Sequence, residues 1–203
     1  MSQNPIAALI YALLPTNVSA PLHADAQGAI AASEAHGNIY TPTKAGRVMM
    51  GANQTGATTS AALATTYTGL CLSNPAASGV NLSLLRVNVS LNVAPAALTA
   101  FGLIAGYAAG GVTVHTTPIT PFNSFLNGTA PLAKLDAACT LVGTAAWARW
   151  LGETPATTSV TTFSDMTNGG IIIPPGGYVA IGTTIAGPTA GLLASFQWEE
   201  CPQ

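Results

Sequence analysis

Three histidines, seven carboxylates, three cysteines and three tryptophans are the side chains with chemical potential in this 203-residue chain. His23, His36 and His115 stand far apart, and none falls in the HExxH or HxH spacing that sets two imidazoles on one metal. Surface or intersubunit hydrogen bonding is the role this leaves them. There is no GxSxG nucleophile elbow and no Gly-rich loop ending in Lys-Ser or Lys-Thr. Pro174-Pro-Gly-Gly177 lacks the lysine and the following helix of a phosphate cradle and reads as a turn. The carboxylates are Asp25, Glu34, Asp136, Glu153, Asp165, Glu199 and Glu200. A glycosidase needs two of them across a sugar cleft. Glu199 and Glu200 are adjacent and face opposite sides of a strand, while Asp165 and Glu153 sit near loops. Glu199 or Glu200 is expected to pair with Arg86 or Arg149, or to be solvated. Cys71, Cys139 and Cys201 are odd in number and widely spaced, which matches neither a disulfide framework nor a zinc site, so reduced thiols are expected. Trp147, Trp150 and Trp198 are the material for a sugar-stacking platform. Trp198 shares a parity with apolar residues and is expected in the core. The spacing of Trp147 and Trp150 puts them on opposite faces of a strand, with Trp150 the exposed or interfacial one. No catalytic, cofactor-binding or metal-ligating residue emerges, and the expectation is a protein that is not an enzyme.

The elements that would carry these residues are built from a chain very poor in charge. Five basic and seven acidic residues make 6% of the sequence, against roughly 25% in an ordinary soluble domain. A monomer covers itself with charge to stay soluble. A chain that cannot do so is expected to be covered by copies of itself or by a partner. The net charge of -2 offers no basic footprint for nucleic acid. Mean hydropathy is +0.43, yet the early apolar run from Pro5 to Pro15 is about half of the roughly 20 residues a spanning helix needs. No membrane association is expected. No Lys or Arg precedes Lys44, and a secretory signal, which opens on a basic segment, is not expected.

Residues 1–60 read as an extended arm. Pro5, Pro15, Pro21 and Pro42 recur and no long amphipathic helix is visible, although Ile6 to Leu14 suits a short one. The arm is expected to contribute a strand or two. From residue 61 to 203 the signal is β. Leu85, Val87, Val89, Leu91 and Val93 alternate with polar residues, the period-two pattern of a half-buried strand. Leu82 and Leu84 fall on the other parity, which asks for a bulge near Leu84 or Leu85. Tyr67–Ser73 and Leu98–Ala108 are further strands. Cys139–Leu151 is a strand or, given its alanines, a helix. Gly110–Pro131 reads as a long polar loop. Near the end, a strand runs into the Pro174–Gly177 turn. Val179, Ile181 and Thr183 then share a face, as do Leu192, Ala194, Phe196 and Trp198. Short strands separated by Gly and Pro turns predict a mainly β chain, an antiparallel β-sandwich or jelly roll.

Thr68-Gly-Leu-Cys-Leu-Ser-Asn-Pro-Ala-Ala-Ser-Gly79, with Asn81-Leu-Ser-Leu-Leu-Arg-Val-Asn-Val after it, resembles structural proteins of tailed bacteriophage virions. So does the ending, Ile173-Pro-Pro-Gly-Gly-Tyr-Val-Ala-Ile with Ala194-Ser-Phe-Gln-Trp-Glu-Glu. The resemblance spans about Thr68 to Glu200 and is nearest to capsid cement, or head-decoration, proteins. It implies a jelly-roll-like sandwich that sits as a homotrimer on the outer capsid surface, made in the host cytoplasm and bound to the major capsid protein. The apolar arm would be the clip, with Ile6, Leu9, Ile10, Tyr11, Leu13 and Leu14 as the candidate capsid contacts. The alternative is the receptor-binding head domain of a tail or head fibre, with the Gly110–Pro131 loop as its exposed face. A depolymerase and a secreted trimeric ligand of tumour-necrosis-factor-like shape fit less well, for want of a catalytic constellation and of a signal segment.

Overall fold

Strands make up nearly all of the regular structure in the computed structural model. It describes residues 39–60, 63–109, 114–156, 162–187 and 191–203, together with the backbone of two short strands. Those two, β1 (His23–Ala24) and β2 (Ile30–Ala31), pair antiparallel. By chain contacts the molecule divides into Met1–Asn38 and Ile39–Gln203. The second unit holds a five-residue helix, Tyr40–Lys44, and the strands β3 (Val48–Ala52), β4 (Thr66–Ser73), β5 (Val80–Leu91), β6 (Thr99–Tyr107), β7 (Val114–Ile119), β8 (Phe122–Asn123), β9 (Lys134–Thr140), β10 (Ala146–Thr154), β11 (Thr162–Ile173), β12 (Gly177–Thr183) and β13 (Leu192–Pro202). Residues 39–60, on the arm side of the boundary expected from sequence, thus belong to the second unit and supply β3.

Eight of these strands form nested antiparallel pairs. β6 pairs with β10, β5 with β11, β4 with β12 and β3 with β13. That is one long hairpin. Rolling it brings β13 beside β5 and β12 beside β6. The sheets β11-β5-β13-β3 and β10-β6-β12-β4 result, which is the winding of a jelly roll. The excursion between β6 and β10 extends both sheets at one edge. β9 and β7 lie outside β4, and β8 lies outside β3.

The core fills the space between the sheets. Leu82, Leu84, Val87 and Val89 face Leu70, Leu72, Phe101 and Leu103 in one buried cluster, with Phe196 and Trp198 among them. The β5 bulge sits where the parity change requires it. Gln197 pairs with Arg86 and Trp198 with Leu84, so Leu85 is the extra residue and leucines and valines on either side all point inward. Val93 lies beyond β5 and is exposed. The Pro174–Gly177 turn closes with Gly177 N–H donating to Pro174 C=O at 2.9 Å. Gly176 takes φ +89°, and a Cβ there would lie 2.4 Å from the Ala108 carbonyl oxygen, so glycine is required.

Two expectations are corrected. Gly110–Pro131 is not one loop, because β7 and β8 lie within it. Their sequences hid this, since Pro118 and several threonines mark β7 as an edge strand. Cys139–Leu151 is neither one strand nor a helix. It is the end of β9, a link at residues 141–145, and most of β10. The link joins strands that lie on either side of β4, β12 and β6, and it packs over the outer face of that sheet. There it buries a second cluster of Tyr67, Cys71, Ile104, Cys139, Tyr178 and Ala180, and Tyr178 Oη donates to Val142 C=O at 2.9 Å.

Candidate functional site

The ionisable side chains are mostly consumed by the fold. Arg47 Nη2 lies 3.2 Å from Glu199 Oε1. Glu200 is buried, and its Oε1 accepts from the Leu132 and Ala133 N–H groups at 2.8 and 3.0 Å. Arg149 meets Asp165 twice, Nε to Oδ2 at 2.9 Å and Nη2 to Oδ1 at 3.1 Å. The expected pairing of Glu199 or Glu200 with Arg86 or Arg149 is therefore corrected. Arg47 immediately precedes β3, the strand beside β13, and takes Glu199, while Arg86 Nε contacts Met166 Sδ at 2.8 Å. The Arg149–Asp165 pair joins the edge strands β10 and β11 of the two sheets and caps the side of the sandwich.

His115 and Asp136, 21 residues apart, meet on the neighbouring strands β7 and β9, and no local motif announced it. His115 Nδ1 and Asp136 Oδ2 are 2.6 Å apart, the imidazole 37% exposed and the carboxylate 0%. Burial pushes the Asp136 carboxyl above its ordinary value, and His115 opposes that shift. Its Oδ1 is buried without a hydrogen-bond partner. Cys139, across from His115 in the β7–β9 register, is buried, as is Cys71. The contact with Cys139, then burial, pushes the Cys71 thiol up. A thiol held protonated is a poor nucleophile, so this grouping reads as structure. Among the described residues no three His, Cys, Asp or Glu side chains gather in a way that could hold a metal ion. A cavity of about 560 Å³ opens beside Asn53–Thr58, Thr68, Thr117 and Ala138. Its lining carries no ionisable group.

The most constructed surface feature is aromatic. Trp147 and Trp150 stack with ring centroids 4.5 Å apart and planes 25° apart. Three residues of regular strand would put them on opposite faces, as expected from sequence. The structure corrects this through one slip in the β10–β6 register, between Trp147 and Arg149; a second, between Trp150 and Gly152, follows both residues. Trp147 pairs with Ile104 and Trp150 with Gly102, so both point to the outer face. Trp147 lies on two glycines. A Cβ at Gly102 would come within 2.9 Å of its ring, and one at Gly182 within 2.6 Å. Trp150 lies over Trp147 and is 53% exposed. Glu153, opposite Ala100, returns to the same face and is exposed. Trp198 is in the core, as its parity predicts. The capsid-contact candidates Ile6, Leu9, Ile10, Tyr11, Leu13 and Leu14 lie outside the described residues, as does His36. In comparisons with protein families, curated proteins and solved structures, no match to the chain was found.

Proposed function

We propose that the chain is a structural protein of a bacteriophage virion, a cement protein that binds the outer capsid surface as a homotrimer and stabilises the head. The observation that carries this reading is a jelly-roll sandwich made from a sequence with so little charge. Arg47, Glu199, Arg149 and Asp165 are taken up in ion pairs, while Asp136 and Glu200 are buried. Little is left to keep a free monomer apart from its copies. Jelly rolls recur in viral capsid and lectin domains, and the resemblance of Thr68–Gly79 and the C-terminal segment points to the first group. A clip that binds only the assembled shell stabilises it by mass action. A trimer makes its second and third contacts intramolecularly and gains avidity without new chemistry. The major capsid protein is the partner, and the arm residues from Ile6 to Leu14 are the contacts this reading assigns.

Copy number tests it. Imaging of the particle with quantitative mass spectrometry is expected to find hundreds of copies on the head, and sedimentation is expected to give a species of about 61 kDa, three times 20.3 kDa. A few copies confined to a tail would replace cement with the receptor-binding alternative. The tryptophan stack, with Trp150 exposed, is the observation that favours that second reading.

A further inference from the structure

We propose that the Trp147–Trp150 stack is a binding site for a neutral, hexose-based oligosaccharide, whichever position on a particle the chain takes. The rigid part of the site is already paid for in the sequence. The register slip between Trp147 and Arg149 puts both indoles on the outer face, and two glycines let Trp147 lie against the sheet. Trp150 rests on Trp147 and presents one open face to solvent.

Three features select the ligand class. The first is lateral extent. The exposed residues beside Trp150 on β10 are small or charged, namely Ala146, Ala148, Arg149 and Glu153. Of the other exposed apolar residues, Leu98 and Tyr107 lie past the two ends of the β10–β6 pairing, and Phe122, Phe125 and Leu126 lie at or just beyond β8, the opposite edge of the sandwich. A protein partner needs a contiguous patch of hundreds of Å², whereas one sugar ring covers one indole. The second is charge. Arg149, the cation nearest in sequence, is held by Asp165 in a two-point pair, and Glu153 shares the face with Trp150. An anionic sugar would meet that carboxylate, and the one cation on β10 is already engaged. The third is enclosure. Cation recognition works best when several rings surround the charge, but among the described residues Trp147 is the one ring stacked on Trp150. A flat, uncharged ring with C–H groups on one side and hydroxyls at its rim fits. The C–H face lies on Trp150, and a rim hydroxyl donates to the Glu153 carboxylate.

The test is a titration of the full chain with neutral cello-, malto-, chito- and galacto-oligosaccharides, followed by the indole N–H signals in NMR and by tryptophan fluorescence. At least one series is expected to give a saturable response with Kd on the order of 1 mM. Trp150→Ala is expected to weaken it at least tenfold, Trp150→Phe to retain part of it, and Glu153→Gln to weaken it a few-fold. All three variants are compared with the parent for folding by melting temperature, and Trp150→Phe keeps the comparison valid if Trp150→Ala does not fold. No saturable response from any series overturns the proposal, as does a response that survives in folded Trp150→Ala. A response to choline alone would make the stack a cation site. Self-association that Trp150→Phe weakens, with no response to sugar, would make it an interface between copies. Either result overturns the proposal.

Discussion

Adjacent residues of β5 meet opposite environments. Val87 is 1% exposed in the core. Asn88 faces outward, donates from Nδ2 to Ser195 Oγ at 3.2 Å and accepts from Ser164 Oγ at 2.7 Å. Val87→Asp would bury a carboxylate with no partner, at a cost of several kcal/mol out of a typical stability of ~5–15 kcal/mol. Val87→Asp is expected in the insoluble fraction and Asn88→Asp in the soluble one at parental yield. Equal yields would mean that the inward face is misassigned. Asp136 gives a pH-dependent counterpart. Its carboxyl is raised above the ordinary 3.8 by burial, against the opposing pull of His115 and Lys134. The folded chain therefore holds this proton more tightly than the unfolded one. Its contribution to stability is greatest below about pH 3.8 and declines as pH rises through the folded value. Asp136→Asn abolishes this slope. Its melting temperature is expected to gain on the parent's as pH rises above about 3.8. A difference between the two that does not change as pH rises would show that Asp136 carries no such shift.

Elements were legible from sequence where one face is buried and the strand is regular. β5 and β13 have leucine, valine and aromatic residues on one parity and polar residues on the other, and both lie as the pattern predicts. Even the β5 bulge left a trace, because the parity change at Leu84–Leu85 has no other explanation in a strand. β10 left none. Its slips are fixed by pairing with β6 and by the space above Gly102 and Gly182, which are 80 residues apart in sequence and adjacent only after rolling. The tryptophan stack was invisible for that reason, although the exposure of Trp150 was not. Gly182→Val tests this account of the element. The added Cβ meets Trp147 Cη2 at 2.6 Å and Ile104 Cδ1 at 2.5 Å, so the indole must leave its bed. A destabilisation of about 1–3 kcal/mol is expected, with loss of the exciton signal of the stacked indoles in circular dichroism. Retention of that signal in a folded variant would show that the glycine bed does not hold the stack.

At the scale of the whole molecule, the rolled hairpin makes the first strand of the sandwich the partner of the last. β3 pairs with β13 from Val48–Glu199 to Ala52–Ser195, and β8 pairs with β3 in turn. Pairing so distant in sequence closes large loops before it gains contacts, so slow folding is expected. It also separates two truncations that composition alone would treat alike. The shift near residue 60 suggested that everything before it is arm. Removing residues 1–60 also removes β3, exposes the ladder edge of β13, and takes Val48 and Met49 from their buried positions. That protein is expected to be insoluble. Removing residues 1–38 leaves Ile39–Gln203 with both sheets complete. It is expected to fold with a melting temperature within about 4 °C of the parent, the shift that roughly 1 kcal/mol produces at this size. If the arm is the clip, this shorter truncation stays folded and no longer decorates heads, because the contacts assigned to the arm are gone. A soluble, cooperatively unfolding chain without residues 1–60 would show that β3 is dispensable. A chain without residues 1–38 that still decorates heads at full occupancy would move the attachment site into the jelly roll itself.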